Sequence, residues 1–572
     1  MFSTRSRVIT LRLCVMLSFV ILAVREATAQ STINPEARAE APMAVERIAP
    51  DLAAWWNDTV FYQVFVRSFA DSREGPLAND GIGDLRGLID RLGYLSGDEQ
   101  SLGVNGLWLM PIMPSPSYHG YDVTDYRAIN EQYGTMEDFE RLLSECHARG
   151  IRVIIDWIPN HCSWEHPWFK AAASPDSPTR HWFVWTDQAP DWKGPWNQRV
   201  WHPWPAEGPA RGAAGYYYGI FSRMMPDLNF REQAVTEAVN EAAAFWLRLG
   251  VDGLRVDAIR HLIEEGRQQE STEATHQWLR GFRGFYKGVK PDAFAVGEVW
   301  APTAQVAPYV GRGLDSAFEF DTAYATIDAI NAGKRDRLAA QWALNLTSYP
   351  QGQYATFLSN HDQDRVMSRF GGGDRRASRV QRDAFDKARL AAALLLTSPG
   401  FPFIYYGEEI GMVGVKPDED IRTPMQWTGE AGAGFTKASP WRAVNPDAAT
   451  RNVADQARSP DSLWSWYRKL IRLRHEHRAL RTGDMTILNT GDERVWAFLR
   501  RLESTAIVVV ANLSEDAVGS CALDLPPNAG GRGVDLLTGD TVGRLEAGAY
   551  VPRETLAPRE VMVIQLSPAA GQ

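Results

Sequence analysis

Eight short segments, apolar on both faces, punctuate this chain, and no other feature narrows its fold as far. They are Val60–Val66, Asn105–Met110, Arg152–Ile158, Gly253–Arg260, Ala293–Val299, Ser316–Phe320, Tyr354–Ser359 and Phe401–Tyr406. Apolar residues at helical spacing lie between most of them, clearest at Met136–Arg149, Arg231–Leu249, Arg382–Leu396 and Ser462–His477. A strand apolar on both faces belongs in a parallel sheet covered by helices. Eight of them imply an α/β fold whose sheet closes into a (β/α)8 TIM barrel. Side chains at the C-terminal strand ends of such a barrel open into one mouth, and chemistry is expected there.

Two stretches depart from the alternation. From Asn160 to Arg231 run about 70 residues rich in Trp, Pro and Gly, where a connection normally takes only a few. They are expected to form a lobe inserted over the mouth. After His477 the pattern changes to short alternating strands, such as Ser504–Asn512 and Glu560–Leu566, which predicts a C-terminal antiparallel β domain. The expected organisation is a signal peptide at 1–29, a lead-in at 30–56, the barrel at 57–161 and 229–479, the inserted domain B at 162–228, and the β domain at 480–572.

The N-terminus reads as a targeting segment. Arg5, Arg7 and Arg12 precede an apolar run from Leu13 to Val24, and Ala27-Thr28-Ala29 offers a cleavage site before Gln30. That run is shorter than the ~20 residues a membrane-spanning helix needs. The mature chain is therefore expected to be secreted or periplasmic, without a membrane span. Removing residues 1–29, with four Arg and one Glu, takes the net charge from −10 to −13. An acidic balance argues against nucleic acid as a partner. Of four cysteines, Cys14 leaves with the signal, so Cys146, Cys162 and Cys521 cannot form a disulfide framework. A monomer is expected.

Charge placed inside apolar segments marks the candidate site. In Gly253–His261, Arg255 and Asp257 lie two apart and project from the same face of a strand. The Arg favours an ionised carboxylate and orients it, as a carboxylate nucleophile requires, though the stretch alone fits a structural ion pair equally well. Glu298, in Ala295–Trp300, sits in apolar surroundings that would raise its pKa and make it a proton donor near neutrality. Phe357–Asp362 adds His361 and a third carboxylate, Asp362. After the second strand Tyr121 offers a face for a sugar ring and Asp122 an acceptor for its hydroxyls. The third strand ends in Asp156, a buttress, then Asn160 and His161, a donor to a substrate hydroxyl. Cleaving an acetal needs an acid on the leaving oxygen and a carboxylate at the anomeric carbon. Separately, Asp71 to Asp84 resembles a hard-cation loop for Ca²⁺, with Asp71, Asn79, Asp80, Asp84 and the Ile82 carbonyl as ligands. An acidic surface turn would read the same way.

These blocks, in this order from about Trp55 to the C-terminus, resemble the α-amylase family, glycoside hydrolase family 13. The resemblance implies that Asp257 is the nucleophile, Glu298 the general acid/base and Asp362 the transition-state stabiliser. Arg255, His161, His361, Tyr121 and Asp122 match its contacts to the sugar being attacked. It also implies retention of anomeric configuration, through a covalent glycosyl-enzyme. Met225–Asn229 resembles the block of the subfamily intermediate between oligo-1,6-glucosidases and neopullulanases, largely α-amylases. Arg260-His261 resembles the Lys-His pair with which α-amylases hold a glucose of the leaving chain. The implied substrate is a starch-like α-glucan or maltooligosaccharide, cut internally. Asn360–Gln363, Arg365 and Arg422–Trp427 also occur in the α-glucosidase and trehalose synthase branch, so an exo-acting α-glucosidase, an oligo-1,6-glucosidase or a transglycosylase stays open. A silent scaffold of the transporter-associated kind would instead use a spanning N-terminal helix and often lack a carboxylate.

Overall fold

A computed structural model describes residues 51–207, 212–374, 382–525, 529–546 and 549–568. The expected signal peptide and most of the lead-in lie outside the described residues.

Eight parallel strands make the central sheet: β1 (Phe61–Val64), β2 (Gly106–Leu109), β3 (Arg152–Trp157), β7 (Gly253–Val256), β8 (Phe294–Gly297), β9 (Ser316–Ala317), β10 (Ala355–Phe357) and β11 (Phe401–Tyr405). They are ordered β10-β11-β1-β2-β3-β7-β8-β9. A parallel bridge from Phe318 to Ala355 joins the two ends and closes the barrel. Every segment expected to be a strand supplies one, mostly shorter than expected. Gly253–Arg260 is corrected most: the strand stops at Val256, because its ladder partners end there at Trp157 and Gly297. Ala258 then takes a left-handed conformation (φ 49°), and Ile259–His261 forms a 3-10 turn. Gly253 is required where β7 and β8 meet, since a Cβ there would lie 2.2 Å from the Phe294 carbonyl oxygen.

The inward faces of the strands form two layers. Low in the barrel, Phe61, Phe294, Phe401 and Phe403 pack as an aromatic plug, with Phe61 and Phe403 stacked at 4.4 Å. Nearer the mouth stand Gln63 on β1, two residues beyond Phe61, and Asp156 on β3 and Arg255 on β7. These segments are therefore not apolar on both faces throughout, and the layer nearest the mouth is polar. The outer faces, with Leu107, Val153, Leu254 and Ala295, pack under the surrounding helices.

The lobe carries a small antiparallel sheet, β4 (Trp185–Thr186), β5 (Trp201–Pro203) and β6 (Tyr216–Tyr218), with β6 central. Its entry and exit are paired, His161 bridging Asp227 and Leu228 N donating to Asn160 O at 2.9 Å. The C-terminal sheet holds β12 (Asp484–Ile487), β13 (Val495–Leu502), β14 (Thr505–Asn512), β15 (Ala529–Asp535), β16 (Thr541–Val542) and β19 (Val561–Pro568). A ribbon of β17 (Arg544–Glu546) and β18 (Ala549–Val551) lies beside it in sequence. Two buried arginines meet where this sheet joins the barrel, Arg474 on helix Leu463–Glu476 and Arg500 on β13. Arg474 donates to Leu396 O and Ser398 O, and Arg500 to Thr397 O, all at the negative end of helix Arg382–Thr397. Cys146, Cys162 and Cys521 are free and buried. Among the described residues no helix is long and apolar enough to cross a membrane.

Candidate active site

Arg255 is the hub of the mouth. It is 1% exposed, and its Nη1 donates to Asp156 Oδ1 at 2.7 Å and to Asp257 Oδ1 at 2.6 Å. Its Nη2 lies 2.9 Å from Glu298 Oε2. One guanidinium thus gathers carboxyls from the ends of β3, β7 and β8. Their exposures separate their jobs. The Asp156 side chain is 0% exposed, whereas those of Asp257, Glu298 and Asp362 are open by 10%, 14% and 27%. Asp156 is sealed off and buttresses, and the other three are partly open at the mouth.

A second chain of contacts links Asp362 to this hub. The Gln63 amide donates to His361 Nδ1 at 2.7 Å, which leaves the ring proton on Nε2, facing the Tyr121 hydroxyl. That hydroxyl donates in turn to Asp156 Oδ2 at 3.1 Å, and Trp108 Nε1 donates to the same oxygen at 3.2 Å. Tyr121 stacks on His361 at 5.5 Å. Asp362 accepts from Arg422 Nη2 at 2.8 Å and lies 3.2 Å from His361 Nε2.

The carboxyls are driven apart electrostatically. Burial pushes Glu298 up to about 7, Arg255 pulling it back and Asp257 and Asp362 adding to the rise. Asp257 and Asp156 are each pushed up by burial to about 6, against the pull of Arg255. Three carboxyls share one guanidinium, so a proton is retained, and Glu298 holds it most tightly. Burial also works against ionisation of Asp362, but the positive charge around it, chiefly the Arg422 guanidinium that it accepts from, outweighs burial and holds that carboxyl down at about 2. Burial keeps His361 itself well below its usual value. One acid and one firmly ionised carboxylate therefore face the same hollow.

Other expected contacts stand differently. Asp122 is 2% exposed and its Oδ1 accepts from Ser115 at 2.6 Å and from Ser117, so it also braces its own loop. His161 is 2% exposed, its Nε2 bonds the Tyr121 carbonyl at 3.1 Å, and burial pushes it down to about 3. It acts on the site through Tyr121. Arg260 is held by Glu270 at 2.7 Å and by the Trp300 carbonyl, and His261 Nδ1 by the Gln269 carbonyl at 3.0 Å. Gln63, Trp108 and Arg422 complete the site without having been assigned to it from the sequence. Only Arg422 carried a signal that could have found it, as the first residue of the Arg422–Trp427 stretch already singled out.

The loop expected to hold Ca²⁺ is turned on itself. Asp71 accepts from Asn79 N and Gly81 N, both at 2.9 Å, and from Thr436. Asp84 accepts from Ser72 N at 3.0 Å and caps helix Leu85–Asp90 through Gly87 N at 2.8 Å. Asp80 binds Ile82 N at 2.8 Å. The carboxylate oxygens of the expected ligand set are therefore engaged by donors of the loop itself, which orders it. Among the described residues no group of three or more His, Cys, Asp or Glu is placed to hold a metal. Asn160 Oδ1 and Asp227 Oδ2, at the seam of lobe and barrel, are buried without a partner, too few oxygens to assign a cation.

The model of the alpha amylase catalytic domain matches residues 63–483. Alpha-amylase 3 of Dictyoglomus thermophilum is 39% identical over 471 residues, 80% of this chain and 85% of that one. An oligo-1,6-glucosidase of Heyndrickxia coagulans is 32% identical over 541 residues, 82% of this chain and 93% of that one. The crystal structure of an alpha-amylase from H. orenii superimposes with a TM-score of 0.76 at 37% identity, covering 89% of this chain and 99% of that one.

Proposed function

This chain belongs to the alpha-amylase family of glycoside hydrolases, and on that premise we propose that it is an exported, retaining endo-hydrolase of α-1,4-glucans. The observation that carries the reading is the meeting of Asp257 and Glu298 on the one buried guanidinium of Arg255, at 2.6 and 2.9 Å, with Asp362 anchored beside them by Arg422 at 2.8 Å. Glu298 gives its proton to the glycosidic oxygen while Asp257, oriented by Arg255, attacks the anomeric carbon. Positive charge spreads over the ring oxygen and anomeric carbon as that bond breaks. Asp362, anchored by Arg422, binds ring hydroxyls and stabilises the charge. The leaving chain departs with the proton, and the sugar stays on Asp257 as an ester. Glu298, now a carboxylate, takes a proton from water, which opens the ester with the original configuration restored.

Internal cleavage is supported by the pair Arg260-His261 and by the likeness to the two alpha-amylases. A second reading, an exo-acting α-glucosidase or oligo-1,6-glucosidase, is favoured by the relative of that name, which matches as large a share of the chain. A maltoheptaoside blocked at its non-reducing end separates the two. An endo-hydrolase shortens it and first releases α-anomers, whereas an exo enzyme leaves it intact. Export is supported by the Arg-flanked apolar run and the site after Ala29, and an N-terminal Gln30 on protein recovered outside the cytoplasm tests it.

A further inference from the structure

Tryptophan is plentiful here, yet of 21 only Trp196 and Trp300 are exposed. Trp300 lies flat on Phe320 at 4.9 Å. Trp196 is 70% exposed, at the tip of a tight hairpin in the lobe where Lys193 pairs with Arg199. The hairpin is stiff. Gly194 N donates to Gln198 O and Asn197 N to Gly194 O, both at 2.9 Å, and Asn197 is left-handed (φ 61°). Gln198 clasps it from within, accepting from Trp196 N at 2.8 Å and donating to Ile220 O at 2.7 Å.

The hairpin is also registered to the mouth by two routes. Trp196 rests against Phe221 at 5.8 Å, and Phe221 meets His161 and His261 edge-on, each at 5.4 Å. Gln269 forms the other route: its amide donates to Lys193 O at 2.8 Å, its side-chain oxygen accepts from Tyr218 at 2.9 Å, and its carbonyl accepts from His261. An indole left in water at a rigid tip, linked through Phe221 to His161 and His261, is a pre-ordered surface. Rigid aromatics bury large area at small entropic cost, and an indole pairs an apolar face with a polar edge, as a pyranose ring requires.

We propose that Trp196 is a stacking platform for a glucosyl unit remote from the bond being cut, and that Gln269 is the positioning residue that fixes the platform relative to Asp257. The proposal rests on the glucan-hydrolase reading and adds to it which residue senses chain length.

The test is the dependence of KM on maltooligosaccharide length, from maltotriose to maltoheptaose, in the full chain. Trp196→Ala is expected to raise KM for maltoheptaose about tenfold, with kcat within about twofold and little change for maltotriose; Trp196→Phe recovers most of the loss. Gln269→Ala shows the same flattening at an unchanged melting temperature. An unaltered length dependence in Trp196→Ala overturns the platform, and equal losses on all lengths do so as well. If the unaltered protein fails to cleave maltoheptaose, the functional reading falls by itself. Calorimetric titration with maltoheptaose then decides the platform: weakened binding in Trp196→Ala supports it, and equal or absent binding overturns it.

Discussion

A buried guanidinium with acid partners on both of its terminal nitrogens sets what each residue of the mouth can do. Removing charge from Asp257 or Glu298 without changing shape is expected to lower kcat on soluble starch by ~10³-fold or more in Asp257→Asn and Glu298→Gln, with the melting temperature little changed. Asp156→Asn acts differently, because Asp156 is sealed from the hollow and neutralises Arg255 from behind. Breaking a buried ion pair costs roughly 3–5 kcal/mol, so the melting temperature should drop. Asp156 also raises Asp257, so its loss moves the acid limb of activity to lower pH, which a purely structural defect would not do. In the unaltered protein kcat/KM should rise as pH passes about 6, where Asp257 ionises, and fall above about 7, where Glu298 loses its proton. These limbs belong to the coupled cluster and not to single residues.

At the scale of elements, the strand ends decide where polar groups enter the core. Just past β11, Glu408 is buried beneath Tyr467, which donates to it at 2.9 Å, and Ser359, which donates at 3.2 Å. Burial pushes it up to about 8, well above the ~4.3 of a solvated glutamate. Glu319, after β9, is likewise pushed up by burial to about 7. The sign follows directly: a raised folded-state pKa stabilises the fold fully below the unfolded value, and the contribution is lost as pH climbs through the folded one. The melting temperature is therefore expected to fall between about pH 5 and pH 8, and Glu408→Gln, which keeps the shape and removes the titration, should flatten that slope in a thermal-shift series.

For the molecule as a whole, the barrel, lobe and C-terminal sheet share one apolar core, and backbone groups take up charges at its margin, as Thr397 O does for Arg500. The Asp71–Asp84 loop belongs to that pattern, since its carboxylates already hold backbone amides. Asp80→Ala tests the Ca²⁺ expectation: a loop that these amides alone hold leaves the response of the melting temperature to EGTA unchanged. A loop shared with Ca²⁺ at 100 times its Kd would contribute about 2.7 kcal/mol, which that substitution would abolish.

The sequence by itself determined the barrel and the acidic strand ends. Eight apolar segments separated by amphipathic helices have few ways to bury both faces, and an Arg two residues before an Asp at the end of such a segment is hard to place elsewhere. It did not show which neighbours hold Asp122 and His161, because that depends on how the loops fold and pack. Ser115 and Ser117 claim Asp122, and the Tyr121 carbonyl claims His161. Nor could it foresee Gln63 and Trp108, ordinary strand residues in composition, whose role comes only from pointing inward at the level of Arg255. Local pattern fixes which face of a strand is buried, and closure of the ring decides which side chains then meet across it.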